Sequence, residues 1–307
     1  MLDLGVDLNE LTEAIAAVTG RAYRLRPLAV KCTYPVYRGE ADGARPVFVK
    51  VGTREEWSQT RDLLGAVGDC GFFSRLVVDE PIAYRGRAVF VMEWKESRVV
   101  FPEDMNPQQV ESFVDGCARM GEALGKVPFG AGRRDGDGTG RPPEELYGDI
   151  LQYVARHPLA GRLLGGLVAV PESERTYGAR RRVVCHGDFH AKNFGFSGDR
   201  FAAVYDFDKL TEGLGCSDFV NALMERFSCL GLSRTTRRRL RDVTRRILVR
   251  SPWPRDELAV AANVVRLQFA SRRIRKHPRS AWVALDISRR DRALREFLGI
   301  LQQGKMV

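Results

Sequence analysis

The stretch His186-Gly187-Asp188-Phe189-His190-Ala191-Lys192-Asn193, followed by Val204-Tyr205-Asp206-Phe207-Asp208-Lys209, decides how the rest of the chain reads. Each half follows an apolar run, Val183-Val184-Cys185 before the first and Phe201-Ala202-Ala203 before the second, so its polar groups are delivered at the ends of short strands. Transfer of a phosphoryl group from ATP needs a base to orient the acceptor hydroxyl, oxygen ligands for Mg²⁺ and a cation on the phosphates. Asp188 suits the base. Asn193, five residues on, offers a neutral oxygen to a metal, at the Asp-to-Asn spacing of a kinase catalytic loop. A hairpin with Ser197-Gly198-Asp199 at its turn returns the chain to Asp206, whose carboxylate suits Mg²⁺.

Upstream, a helix over residues 8 to 19 precedes a region, Ala22 to Trp94, where apolar and polar residues alternate in RLRPLAV, TYPVYRGE, RPVFVKV and RAVFVMEW. That rhythm predicts an antiparallel sheet, interrupted by one helix at Arg54 to Val67. Lys50 closes the run Val47-Phe48-Val49 in the third strand, a position from which an ammonium reaches α and β phosphates. From Pro102 the period changes: Val110, Phe113, Val114, Cys117, Met120 and Leu124 share one helical face. A polar loop is expected over Gly130 to Pro143, helices near 144 to 168, and helices again to the C-terminus, with Leu258, Ala262, Val265 and Phe269 on one face. The boundary between sheet and helix falls near Glu93 to Ser97, giving a nucleotide-binding lobe at 1–94 and a catalytic, substrate-binding lobe at 95–307.

With its chain order, HGDFHAKN followed by VYDFDK resembles the aminoglycoside phosphotransferase and choline kinase branch of the protein-kinase-like superfamily, which writes its loop H-G-D-x-H-x-x-N; Gly213, Gly215 and Asp218 extend the match. The resemblance implies an α+β, protein-kinase-like two-lobed fold: an N-terminal antiparallel sheet with one helix and a mainly helical C-terminal lobe, with ATP and Mg²⁺ in the cleft. It implies Asp188 as catalytic base, Asn193 and Asp206 as metal ligands, Lys50 on the phosphates, and Glu93-Trp94 as the adenine-contacting hinge. Two features depart from the pattern. The turn Ala29 to Pro35 has no glycine, so a G-x-G-x-x-G phosphate cover is absent, and the partner of Lys50 falls to Glu56, with Glu55 as its neighbour.

The accessory residues divide by role. His186 reads as a loop scaffold, His190 as a substrate-side or structural group, and Asp208 as a metal helper or a turn cap; Lys209 carries no role in this reading. Trp57, Trp94, Trp253 and Trp282 read as core or hinge packing. The six cysteines are scattered, with neither zinc spacing nor a disulfide framework.

The net charge of +10 is uneven: residues 231–307 hold 20 Lys and Arg against 6 Asp and Glu. Since such kinases build the acceptor pocket in the C-terminal part, that excess favours a neutral or anionic sugar, a lipopolysaccharide-core sugar among them, over an aminoglycoside or choline. It also raises a different class of function, a catalytically weak kinase-like protein binding an anionic membrane or nucleic acid through its basic helices. Nucleic acid is the weaker partner because the tryptophans are not interleaved with basic residues. A two-metal phosphoesterase built on His186, Asp188, His190, Asp206 and Asp208 would need further histidines, and the only others, His157 and His277, sit in His-Pro turns. The expected location is cytoplasmic, with peripheral contact at the inner membrane surface as an addition, since no run is long and apolar enough to span a bilayer.

Overall fold

The computed structural model describes residues 6–28, 34–128, 141, 143–170, 182–207 and 209–303. The expected loop over Gly130 to Pro143 and the turn at Ala29 to Pro35 fall mostly outside these residues, and Asp208 lies outside them too. By its internal contacts the chain forms two compact units, Met1–Ser97 with Ala202–Val204, and Arg98–Phe201 with Tyr205–Val307.

The first unit opens with α1 (Leu8–Thr19), whose start is capped by Asp7 accepting from the Asn9 and Glu10 amides and whose end is Gly20 in a left-handed conformation. A five-stranded antiparallel sheet follows: β1 (Arg24–Pro27), β2 (Val36–Glu40), β3 (Val47–Gly52), β4 (Ile82–Tyr84) and β5 (Arg87–Glu93), in spatial order β1-β2-β3-β5-β4. The period of two sorts β3 and β5 between the sheet faces. Val47, Val49, Val51, Val89 and Val91 join Leu11 and Ile15 of α1 in one buried cluster. Ala88 and Phe90 cover the other face with Trp57 of α2 (Arg54–Val67). Lys50, paired in register with Val36 and Phe90, belongs by alternation to this second face, inside β3 rather than at its end.

The second unit is mainly helical: α3 (Pro107–Leu124), α4 (Pro143–Arg156), α5 (Pro158–Val168), α6 (Ser217–Phe227), α7 (Arg234–Arg250), α8 (Arg255–Lys276) and α9 (Trp282–Gln303). Every residue assigned to the apolar face of α3 is buried. For α8 the expectation of one apolar face is corrected. Asn263, Arg266 and Ser271 are buried together with Leu258, Ala262 and Leu267, while Val265 and Phe269 are only half-buried, because α4, α6 and α9 all pack on this helix. Its buried Arg266 is neutralised by Asp291 of α9 at 2.6 Å, as a charge out of water requires. Trp282 is a second correction: at the start of α9 it is 79% exposed rather than core. No helix among the described residues is long and apolar enough to cross a membrane.

Four short strands carry the loops between these helices: β6 (Val183–Cys185), β7 (Phe194–Ser197), β8 (Arg200–Val204) and β9 (Thr211–Gly213). β7 and β8 form the expected hairpin, and its turn is fastened to the start of α3, where Gln109 donates to the Gly198 carbonyl at 3.1 Å and Asn106 to Asp199 at 2.7 Å. β6 pairs antiparallel with β9, Cys185 opposite Thr211, a strand that the sequence reading did not contain.

Candidate active site

The loop His186–Asn193 leaves β6 and is held from below by α6. Asp218, in the first turn of that helix, is buried and accepts the His186 amide at 2.6 Å and the Gly187 amide at 3.1 Å. Burial pushes its carboxyl above the usual carboxylate range, opposed by nearby His186 and by those two amide bonds. One turn on, Asn221 donates to the Phe189 carbonyl at 3.1 Å. Phe189 itself is fully buried, its ring 5.0 Å from that of Phe194, which lies 5.3 Å from Phe113 of α3. The loop thus turns an aromatic residue into the core between two polar neighbours, and burial of such rings is a strong anchor.

A chain of hydrogen bonds ties the loop to the segment carrying Asp206. Fully buried His186 donates from Nε2 to the Tyr205 carbonyl at 2.6 Å and accepts the Asp188 amide on Nδ1 at 3.4 Å. The bond to the carbonyl puts a proton on Nε2, and the two bonds occupy both nitrogens. His186 is therefore a strut. The Tyr205 amide in turn donates to the Asn193 carbonyl at 2.8 Å, and Asn193 Nδ2 donates to the Asp188 carbonyl at 2.8 Å. With Nδ2 committed there, the carboxamide oxygen is the atom that Asn193 could offer to a metal. Asp206 has φ +62°, a left-handed conformation uncommon for a residue with a side chain. Strain of that kind concentrates at functional sites. A neutral amide oxygen and a carboxylate are the hard donors that Mg²⁺ takes, so Asn193 and Asp206 fit the ion.

Asp188 is left with its carboxylate partly exposed at 20%. Lys209 Nζ donates to Oδ2 at 2.7 Å, and His190 Nε2 stands 4.0 Å from Oδ1. His190 Nδ1 accepts the Lys192 amide at 3.3 Å, which places the ring proton on Nε2.

The remaining candidates belong to the first unit. Lys50 Nζ lies 5.7 Å above the Tyr34 ring and 5.6 Å above that of Phe90. Glu56 is buried and closes a capping box with Thr53, accepting the Thr53 amide at 2.9 Å, and its carboxylate lies so near β3 that a side chain at Gly52 would meet Oε2 at 2.7 Å. Glu93 and Trp94 donate their amides to the carbonyls of Arg75 at 2.8 Å and Pro46 at 3.1 Å. The Trp94 indole donates to Glu96 at 2.8 Å and carries the Arg38 guanidinium 4.9 Å above its ring.

Three residues of the site were not found from sequence: Lys209, Asp218 as the anchor of the loop, and Asn221. Only Asp218 left a trace, in its place after Gly213 and Gly215. Among the described residues no three His, Cys, Asp or Glu side chains gather as a metal cluster.

The model of the phosphotransferase enzyme family matches residues 25–256. The chain belongs to this family. Its fold is shared with amicoumacin kinase hAmiN, solved with AMP-PNP, Ca²⁺ and Ami, at 14% identity and TM-score 0.60 over 95% of this chain and 94% of that one. It is shared with the macrolide 2'-phosphotransferase MphH of Brachybacterium faecium, at 14% identity and TM-score 0.55 over 92% and 98% of the two chains. An aminoglycoside phosphotransferase from Alicyclobacillus acidocaldarius aligns at 15% identity and TM-score 0.54 over 94% and 95%. No curated protein matches the chain in sequence. The chain is therefore a phosphotransferase by family, with the α+β, protein-kinase-like fold expected from its motifs.

Proposed function

We propose that this phosphotransferase moves the γ-phosphate of ATP to a hydroxyl of a neutral or anionic sugar-like small molecule, with Asp188 as the base. The observation that carries the reading is the hydrogen-bonded frame His186–Tyr205–Asn193–Asp188, which ties the loop bearing the partly exposed Asp188 carboxylate to Asn193 and to the segment that carries Asp206. ATP as co-substrate is supported by the shared fold of a kinase solved with AMP-PNP and a divalent ion. Asn193 and Asp206 would hold Mg²⁺, which when bound neutralises charge on the β and γ phosphates. Lys50, backed by Glu56, would meet the α and β phosphates, and Glu93-Trp94 the adenine, making 1–94 the nucleotide-binding part and 95–307 the catalytic part. Asp206→Ala should weaken Mg-nucleotide binding about tenfold or more. Nucleotide titrations across Mg²⁺ concentrations read this, and an unchanged metal dependence would remove Asp206 from the ligand set.

The charge of the acceptor is argued from the base. Cationic Lys209 and the His190 N–H donor face the Asp188 oxygens, surroundings that disfavour an ammonium group beside the reacting hydroxyl. The basic excess of the C-terminal helices supports less than the sequence suggested. Arg237 and Arg241 pair with Glu296, Arg239 with Asp104, Arg250 with Glu111, Arg273 and Arg290 with Asp286, and Arg275 with Asp149. Those pairs make a non-catalytic module holding anionic membrane or nucleic acid the weaker proposal. Labelled ATP offered with sugars, lipopolysaccharide-core fragments, amino alcohols and aminoglycosides tests the acceptor: phosphate should pass to an uncharged or acidic sugar. Transfer confined to aminoglycosides or choline would overturn the charge argument.

A further inference from the structure

We propose that Lys209 is a positioning residue for catalysis, holding Oδ2 of Asp188 so that Oδ1 is the oxygen presented to the acceptor hydroxyl. The inference rests on Asp188 being the base, and deepens that reading.

Two independent observations carry it. The first is the contact itself: Nζ to Oδ2 at 2.7 Å, with the lysine side chain 38% exposed and the carboxylate 20% exposed, so the pair stands at the surface of the loop where a substrate can reach it. The second is the backbone. Gly187 has φ +78°, and a side chain there would overlap the Lys209 carbonyl oxygen and meet Thr211 Cγ2 at 2.9 Å. The lysine's main chain is thus pressed against the residue preceding Asp188, and β9, which begins at Thr211 and pairs with β6, holds it there. A flexible surface ion pair contributes little. This one has the Lys209 carbonyl packed against Gly187 and leads into β9, so its geometry costs less conformational entropy to keep.

The consequence for the chemistry follows from the two oxygens being different. Oδ2 is engaged by an ammonium. Oδ1 faces His190 Nε2–H across 4.0 Å, too long for a direct hydrogen bond, while an oxygen seated to one side of the pair can lie about 2.8 Å from both. An acceptor hydroxyl seated there donates to Oδ1 and accepts from His190. Its proton passes to Oδ1 while its oxygen forms the bond to the γ-phosphorus, and the bond from that phosphorus to the β–γ bridging oxygen breaks, releasing ADP. Lys209 keeps its proton throughout. Without it the carboxylate can rotate about its Cβ–Cγ bond, and a misplaced base forfeits part of the advantage of orientation.

The test uses the full chain, ATP, and water as the acceptor, read as ADP release, so that no natural acceptor is needed. Lys209→Met should lower kcat about 10- to 100-fold with the KM for ATP within about twofold, and Lys209→Arg should recover part of the loss. Lys209→Ala should regain rate with added propylammonium and not with butanol, a response that a packing role would not give. Wild-type kcat in Lys209→Met, or a raised KM for ATP with kcat unchanged, would overturn the proposal. If Lys209→Met does not fold, amine rescue of Lys209→Ala decides alone, and no rescue counts against the proposal. The two readings fail separately: Asp188→Asn turning over at the wild-type rate sinks the base, whereas an inactive Asp188→Asn beside a normal Lys209→Met sinks only the lysine.

Discussion

Asp188→Asn is expected to reduce kcat by about 10³-fold or more while nucleotide affinity stays close to wild type, because positioned general-base catalysis contributes about 10²- to 10⁴-fold. The substitution is nearly isosteric. The loop's hydrogen bonds to position 188 are made by its main chain, the carbonyl accepting from Asn193 and the amide donating to His186, so they survive the change. An amide oxygen can still accept from Lys209, but it cannot take the proton of the acceptor. Steady-state kinetics of ADP release and direct nucleotide titration separate the two quantities. Persistent turnover would mean that the transition state is loose enough to need no proton acceptor, and Asp188 would become an orienting group only.

What the sequence could show about this site follows the range of the interactions that build it. The start and end of α1 at Leu8 and Thr19 were readable because the signals are local: an Asp cap, an apolar face and a terminal glycine. The apolar face of α3 was readable for the same reason, and so was the hairpin turn at Ser197-Gly198-Asp199. The motif residues themselves were found from their residue types, spacing and chain order together with the family resemblance. Asp218 and Lys209 were not, because their roles depend on α6 and β9 reaching the loop in space. A lysine three residues beyond Asp206 has no periodicity that ties it to Asp188. β9 was hidden by its length, since three residues, Thr211–Gly213, are too few for alternation to register. In α8 the reason is different: a helix packed on several sides loses the amphipathic period, and its polar residues are explained only by partners such as Asp291 on another helix.

The second large effect is expected at Gly187, where the fold and the chemistry share one residue. Gly187→Ala should destabilise the protein by about 3 kcal/mol or more, adding the cost of a left-handed conformation to that of an overpacked contact. The control is Gly198→Ala in the hairpin turn. Gly198 also has a positive φ, +59°, but a side chain there would meet nothing within 4 Å, so that variant carries the conformational cost of about 1 kcal/mol without the overlap. The difference between the two in denaturant unfolding isolates the contact between the loop and the Lys209 carbonyl. Relief of the overlap in Gly187→Ala can come only by moving the backbone on one side. Shifting the loop stretches the bonds from the His186 and Gly187 amides to Asp218, and shifting Lys209 withdraws its ammonium from Asp188. Either movement misplaces the base, so the folded fraction of Gly187→Ala should lose about 10²-fold in kcat, while Gly198→Ala retains its rate. Equal stability of the two alanine variants would show that the loop and the Lys209 segment are less closely apposed than described, and normal turnover in Gly187→Ala would show that their apposition does not set the position of Asp188.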